Sequence, residues 1–195
     1  PRNNVAALET EQQSRIRLLQ DNVVDVSTDL ADVVLAMNFS YFLFLTRDEL
    51  LRYFLSVREG LMEDGILFLD AYGGTDAICE DEESRRIEAT RAFDGTKVPS
   101  FTYTWEQASF NPVDHHTVCH IHFKVRGKKI RRAFTYDWRL WTLPETCDLL
   151  EECGFSKVVV YWEGTDKDGE PNGVYKPSRK GDLAPAWVAY ILAFR

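Results

Sequence analysis

The stretch Ala31-Asp32-Val33-Val34-Leu35-Ala36-Met37-Asn38-Phe39-Ser40-Tyr41 decides the fold class of this chain. An acidic residue leads into a short run of small and β-branched apolar residues with no polar alternation. That is the pattern of a strand covered on both faces, as in the interior of a parallel sheet. The run breaks at Asn38-Phe39-Ser40-Tyr41, where polar and aromatic side chains stand at the strand's carboxyl end. A second strand of the same kind is Gly65-Ile66-Leu67-Phe68-Leu69-Asp70, followed by Ala71-Tyr72-Gly73-Gly74. Between the two, Thr46 and Glu49 have the spacing of a capping box that starts a helix. Leu50, Leu51, Phe54, Leu55, Val57 and Leu61 give that helix a broad apolar face, with Gly65 ending the turn after Met62. Strand, helix, strand is a βαβ unit with a right-handed crossover. In open α/β sheets ligands bind beyond the carboxyl ends of the strands, so both strand ends are candidate site.

Upstream, Val5, Leu8, Gln12, Ile16 and Leu19 keep a helical spacing, while residues 15–19 read equally well as a strand. The expectation is helix to about Gln13 and strand to Gln20, with Asp21-Asn22-Val23 at its carboxyl end. Residues 76–93 are charged and predict a surface helix, with Glu80-Asp81-Glu82-Glu83 in its first turn. Residues 101–105, 117–125 and 130–136 alternate with period two around Gly127 and predict an antiparallel meander, one face dry and one wet, lying over the sheet as a cover. Leu143-Pro144-Glu145 begins a helix that Gly154-Phe155 closes. Residues 157–162 are a strand, 163–184 a polar, mobile loop, and 186–194 a last buried strand that should pair antiparallel.

At 195 residues and 45% hydrophobic content the chain suits one domain. A net charge of -8 argues against general attraction to nucleic acid or an anionic membrane. No apolar run approaches the ~20 residues of a spanning helix, and Pro1-Arg2-Asn3-Asn4 does not open a signal peptide. Cys79, Cys119, Cys147 and Cys153 form no C-x-x-C pair, which suits a reduced, cytoplasmic protein. On a strand His116, His120 and His122 share a face, and an H-x-H pair can bind zinc. A plain wet face explains the same pattern, since Val118, Lys124 and Arg126 lie on it too. Lys124, Arg126, Lys128, Lys129, Arg131 and Arg132 surround a hairpin turn, where basic residues protect an edge as readily as they grip phosphate. Trp105, Trp138 and Trp141 read as core or as pocket wall.

The order of pieces resembles the second half of class I S-adenosylmethionine-dependent methyltransferases. The resemblance is carried by Asp32-Val33-Val34 ending in Asn38-Phe39-Ser40-Tyr41, by residues 61–70, and by Trp138-Arg139-Leu140-Trp141-Thr142-Leu143-Pro144-Glu145 through Gly154-Phe155. It implies an α/β fold, a Rossmann-like methyltransferase sheet incomplete at the N-terminus, with an inserted antiparallel β meander and an antiparallel last strand. Residues 1–195 would form one partial domain, in which 75–137 are an inserted helix and antiparallel lid and 163–185 the mobile loop. The family's glycine-rich loop, and the acidic residue that holds the ribose, have no match. The chain is therefore expected to start about seventy residues into a larger protein, the length of two βα units, and to be inactive alone.

For the cofactor S-adenosyl-L-methionine, the resemblance places Asn22 and Val23 at the adenine and Asn38, Phe39 and Ser40 at the methionine moiety and methyl group. Tyr41, Tyr72, Trp105 and Arg139 become the substrate-binding candidates. No catalytic residue is named, because in-line displacement from a sulfonium needs a general base only if the acceptor arrives protonated. The implied activity is methyl transfer to a small-molecule acceptor, without nucleic acid, membrane or metal, and with a homodimer left open. The alternatives are a non-catalytic methyltransferase-like interaction module and a metal-dependent enzyme using the His116/His120/His122 face.

Overall fold

The computed structural model describes residues 2–92 and 94–195. Two one-turn helices, α1 (Arg2–Ala6) and α2 (Thr10–Ser14), open the chain. The strand expected at 15–20 does not form. Those residues are irregular, and Ile16, Leu18 and Leu19 are exposed; among the described residues no strand pairs with them.

The βαβ unit forms as β1 (Ala31–Ala36), α3 (Arg47–Glu59) and β2 (Leu61–Gly73). β1 and β2 are parallel, Val33 facing Ile66 and Ala36 facing Leu69. The capping box of α3 is present, with Thr46 accepting from the Glu49 amide and Glu49 from the Thr46 amide. Leu50, Phe54 and Val57 are buried, while Leu55 is exposed. The helix stops earlier than its apolar spacing suggests. Leu61 opens β2, and Gly65 sits where the strand folds against itself, a Cβ there falling 2.8 Å from the Met62 carbonyl oxygen.

β1 differs from the expectation in one respect: it is the edge of the sheet and not its interior. Val34 packs on the core and Ala36 is buried, but Val33 and Leu35 are 53% and 65% exposed. Helices cover one face only, so an unbroken apolar run does not guarantee two covered faces.

The main sheet runs β1-β2-β11-β9-β10, with β9 (Lys157–Thr165), β10 (Pro171–Pro177) and β11 (Trp187–Phe194). As expected, β11 is antiparallel; it lies between β2 and β9, Trp187 opposite Gly73 and Phe194 opposite Ile66. Leu67, Leu69, Ala71, Ala189, Ile191 and Ala193 are fully buried at its centre. α4 (Leu143–Glu152) packs beside α3 on the helical face. Its own capping box joins Thr142 and Glu145, and Gly154 in the left-handed region (φ 86°) lets Phe155 turn back, its amide bonding the Leu150 carbonyl. The polar stretch at 163–185 is not a loop throughout, since β9 extends to Thr165 and β10 returns along it.

The second sheet runs β3-β6-β7-β8, with β3 (Asp81–Ile87), β6 (Phe101–Phe110), β7 (His116–Val125) and β8 (Lys128–Arg139). The expected meander is β6 to β8, with Arg126 (φ 47°) and Gly127 (φ 80°) forming the tight turn. The surface helix at 76–93 is replaced by a 3-10 turn (Asp76–Ile78) and by β3, while β4 (Thr90–Arg91) and β5 (Lys97–Val98) make a small hairpin. Phe93, the expected end of that helix, lies outside the described residues. Pairing with β6 along seven residues outweighs local helical preference. Trp138, Leu140 and Trp141 at the end of β8 enter the main core beside Tyr41 and Phe42.

Candidate functional site

β1 ends at Ala36, and Asn38 and Phe39 both take left-handed backbone angles (φ 60° and 55°). Two consecutive non-glycine residues in that region cost of order 1–3 kcal/mol each. The compensation comes from Asp70 on β2, 6% exposed, whose carboxylate accepts the Asn38 amide at 2.9 Å and the Phe39 amide at 2.8 Å. The clamp leaves Asn38 and Ser40 exposed and turns the Phe39 ring onto Tyr72, 4.7 Å between centroids in an edge-to-face pair.

Phe39 and Tyr72 form one end of a cleft of about 750 Å³ that continues between the end of the main sheet and the dry face of the second. Trp105 and Trp138 line it from the lid, Trp187 and Val188 from β11, and Glu163 and Tyr175 from β9 and β10. Trp138 lies 4.5 Å from Tyr136 and 6.3 Å from Trp105, an aromatic wall. Gly73 lets Trp187 lie flat against the backbone of β2, since a Cβ there would meet the indole at 2.3 Å. The Tyr72 hydroxyl is buried without a hydrogen-bond partner, and burial pushes its pKa up. Tyr175 donates to Glu163 at 3.0 Å and the Gly173 amide donates to the same carboxylate. Burial, followed by that carboxylate, pushes the Tyr175 hydroxyl up to about 12.

Phe39, Tyr72 and Trp105 are thus brought to one cleft, with Asn38 and Ser40 exposed on either side of Phe39 in the same turn and not among its lining residues. Five other candidates are not. Tyr41 lies within a 3-10 turn (Ser40–Leu43) that takes its ring away from the cleft, and it is 1% exposed, packed on Phe42 and Phe54. Arg139 is spent on structure: it stacks 3.7 Å over Trp141, donates to Glu145 at 2.9 Å and reaches the Leu45 carbonyl. Trp141 is buried beneath it, donating to the Phe44 carbonyl. Asn22 and Val23 stand apart from the rim. The Asn22 side chain is engaged in its own turn, with Asp25 and the Val24 amide, and the Val24 carbonyl accepts from Ser56 in the last turns of α3, toward the opposite end of β1.

The three histidines share the face of the lid turned away from the cleft, though it is not a plain wet face, since His120 is 6% exposed; each has its own partner. His116 pairs with Asp137, His120 with Thr135 and His122 with Glu106. The Arg132 amide donates to His122 Nδ1, so the ring is the Nε2–H tautomer and both of its nitrogens are used. Among the described residues no three His, Cys, Asp or Glu side chains meet in a way that could hold a metal ion. No helix among them is long and apolar enough to cross a membrane.

Sequence reasoning missed Asp76, Asp81, Glu83, Gln107, Glu163, Tyr175 and Trp187, all of which line the cleft. Nothing local marks β3, because residues 81–86 are all polar and show no apolar alternation; their register on β6 sets which of them face the cleft.

No protein-family model matches the sequence, and no curated protein does. Solved structures do match by fold. An S-adenosylmethionine-dependent methyltransferase from Clostridium acetobutylicum ATCC 824 superposes with TM-score 0.62 at 14% identity, over 96% of this chain and 72% of its own. The CcbJ methyltransferase of Streptomyces caelestis gives 0.64 at 13%, over 97% and 68%. DesVI of Streptomyces venezuelae gives 0.59 at 14%, over 89% and 63%. The fold of this chain is therefore that of S-adenosylmethionine-dependent methyltransferases, and the chain spans 63% to 72% of the length of these three.

Proposed function

We propose that this chain carries the methyl-facing turn and the acceptor cleft of an S-adenosylmethionine-dependent methyltransferase that acts on a small molecule. The observation that supports this most is the Asp70 clamp, which fixes the Asn38–Phe39 turn at the carboxyl end of β1 and makes Phe39 one wall of the cleft. That is where an open α/β sheet receives its ligand. The cofactor, when bound, supplies an activated methyl group on a sulfonium. Asn38, Phe39 and Ser40 would hold its methionine end. Tyr72, Trp105 and Trp138 would orient the acceptor for in-line attack and keep water out.

The residues present fit the methyl-bearing end, with exposed polar groups on a rigid turn and an aromatic wall beside it. They do not fit the adenosine end: Asn22 and Val23 stand apart, and no G-x-G loop follows a strand in this sequence. The same gap is what favours the second reading, a methyltransferase-like module that no longer uses the cofactor. Calorimetric titration of the full-length gene product with S-adenosylmethionine, with an assay for released S-adenosylhomocysteine, separates the two. Binding that weakens about tenfold in Asp70→Asn supports the enzyme. A native protein that neither binds nor releases leaves the module.

A further inference from the structure

Taking the cleft as the acceptor site proposed above, we infer that it grips a positively charged group of its ligand, a protonated amine, between the Glu83 and Asp81 carboxylates and the face of Trp105. The register of β3 on β6 sets Asp81 opposite Gln107, Glu83 opposite Trp105 and Arg85 opposite Tyr103, three rungs on the side that faces the cleft. On the outer rung the chain supplies its own cation, with the Arg85 guanidinium 4.9 Å from the centroid of the Tyr103 ring. One rung inward the aromatic is an indole, the stronger cation acceptor, and the residue opposite is a carboxylate. That rung has an aromatic face and a negative charge and lacks only the cation.

The rest of the lining has the same bias. Asp76, Asp81, Glu83 and Glu163 contribute carboxylates, and Arg85 is the one basic residue lining the cleft among the described residues. Asp76, Asp81 and Glu83 enter no ion pair among those residues. Asp81 and Glu83 are exposed on the edge strand β3, so their charge draws a cation to the mouth of the cleft, beside the face of Trp105. Gln107, on the innermost rung, is committed elsewhere: its amide donates to the carbonyls of Ala77 and Cys79 and holds the segment that carries Asp81. While it is held this way the ammonium has no lone pair, so the gripped nitrogen is a handle and does not take the methyl group in that state.

Three probes of one size test this: benzylamine, benzyl alcohol and benzoate, titrated at pH 7.5 against the tryptophan fluorescence of the protein, three of whose indoles (Trp105, Trp138 and Trp187) line the cleft. Benzylamine should bind about tenfold more tightly than benzyl alcohol, a difference of about 1.4 kcal/mol, and benzoate more weakly than either. The preference should shrink in raised salt and vanish in the isosteric Asp81→Asn/Glu83→Gln variant, while benzyl alcohol binds that variant unchanged. Equal binding of amine and alcohol overturns the inference, and so does a preference that survives in the double variant. If the preference is absent while S-adenosylhomocysteine is still released with other acceptors, only the cation site fails. If it holds and no acceptor ever gains a methyl group, the methyltransferase reading fails and the cation site stands.

Discussion

Replacing Asp70 by asparagine removes half of the clamp that holds the Asn38–Phe39 turn. The native carboxylate accepts two backbone amides, at 2.9 and 2.8 Å, from a position 6% exposed. Asparagine keeps one acceptor oxygen and presents an NH₂ to the other amide, so one bond is lost and two donors face each other. A hydrogen bond to a charged acceptor is worth about 1.5–3 kcal/mol, and a buried amide left unsatisfied costs about 1–3 kcal/mol. The expected loss is about 2–3 kcal/mol, or about 4–12 °C in Tm for a chain of this size. Urea unfolding followed by tryptophan fluorescence measures it, with an unchanged m-value confirming that the folded state is otherwise intact. The left-handed strain adds a second arm: glycine adopts those angles freely, so Asn38→Gly in the Asp70→Asn background should recover about 0.5–1 kcal/mol. A single variant within 0.5 kcal/mol of the native protein would refute the clamp as the device that positions the turn.

Further outcomes follow from the same geometry. Gly74→Ala should cost more than about 2 kcal/mol and weaken ligand binding in the cleft, because at φ 109° a Cβ would lie 2.1 Å from the Pro185 carbonyl oxygen, a backbone atom that cannot step aside; near-native stability would contradict that packing. Burial pushes the Glu145 carboxyl up, but the Thr142 amide and hydroxyl and the Arg139 guanidinium outweigh it and hold its pKa below the ordinary 4.5. A depressed folded-state pKa stabilises above 4.5 and the contribution fades as the pH falls through the folded value, so Glu145→Gln should flatten stability against pH below about 4.5 and leave the slope above it alone. Of the four thiols Cys79 is exposed, while burial foremost pushes those of Cys147 and Cys153 up to about 11 and that of Cys119 up as well. An Ellman titration should then show one fast equivalent in the native protein and four after unfolding, with benzylamine slowing the fast one because Cys79 lines the cleft.

Local chemistry made the βαβ unit legible. The Thr46–Glu49 box and the apolar run before Asn38 act within a few residues of themselves, as do the Arg126–Gly127 turn and the Gly154 cap. What stayed hidden depends on pairing across long separations. Asp81, Glu83 and Arg85 look like a charged helix until β6, some twenty residues later, supplies the partner strand that fixes their face. Pro171–Pro177 reads as loop because Gly173 and its two prolines are turn residues by type, yet β9 holds it by register. Tyr41 shows how little separates site from core: two residues beyond Phe39, one 3-10 turn sends its ring to the opposite side. The expectation for Asn22 rests on a strand at 15–20 that does not form, so nothing in its own neighbours carries it to the rim.

The open flank of β1 also bears on how the protein behaves in the tube. Among the described residues its outward flank pairs with no strand and Leu35 is 65% exposed beside it, and an unpaired flank of this kind is a template for a further strand. Leu35→Lys should suppress concentration-dependent light scattering of this chain without touching the cleft, since Leu35 is 65% exposed.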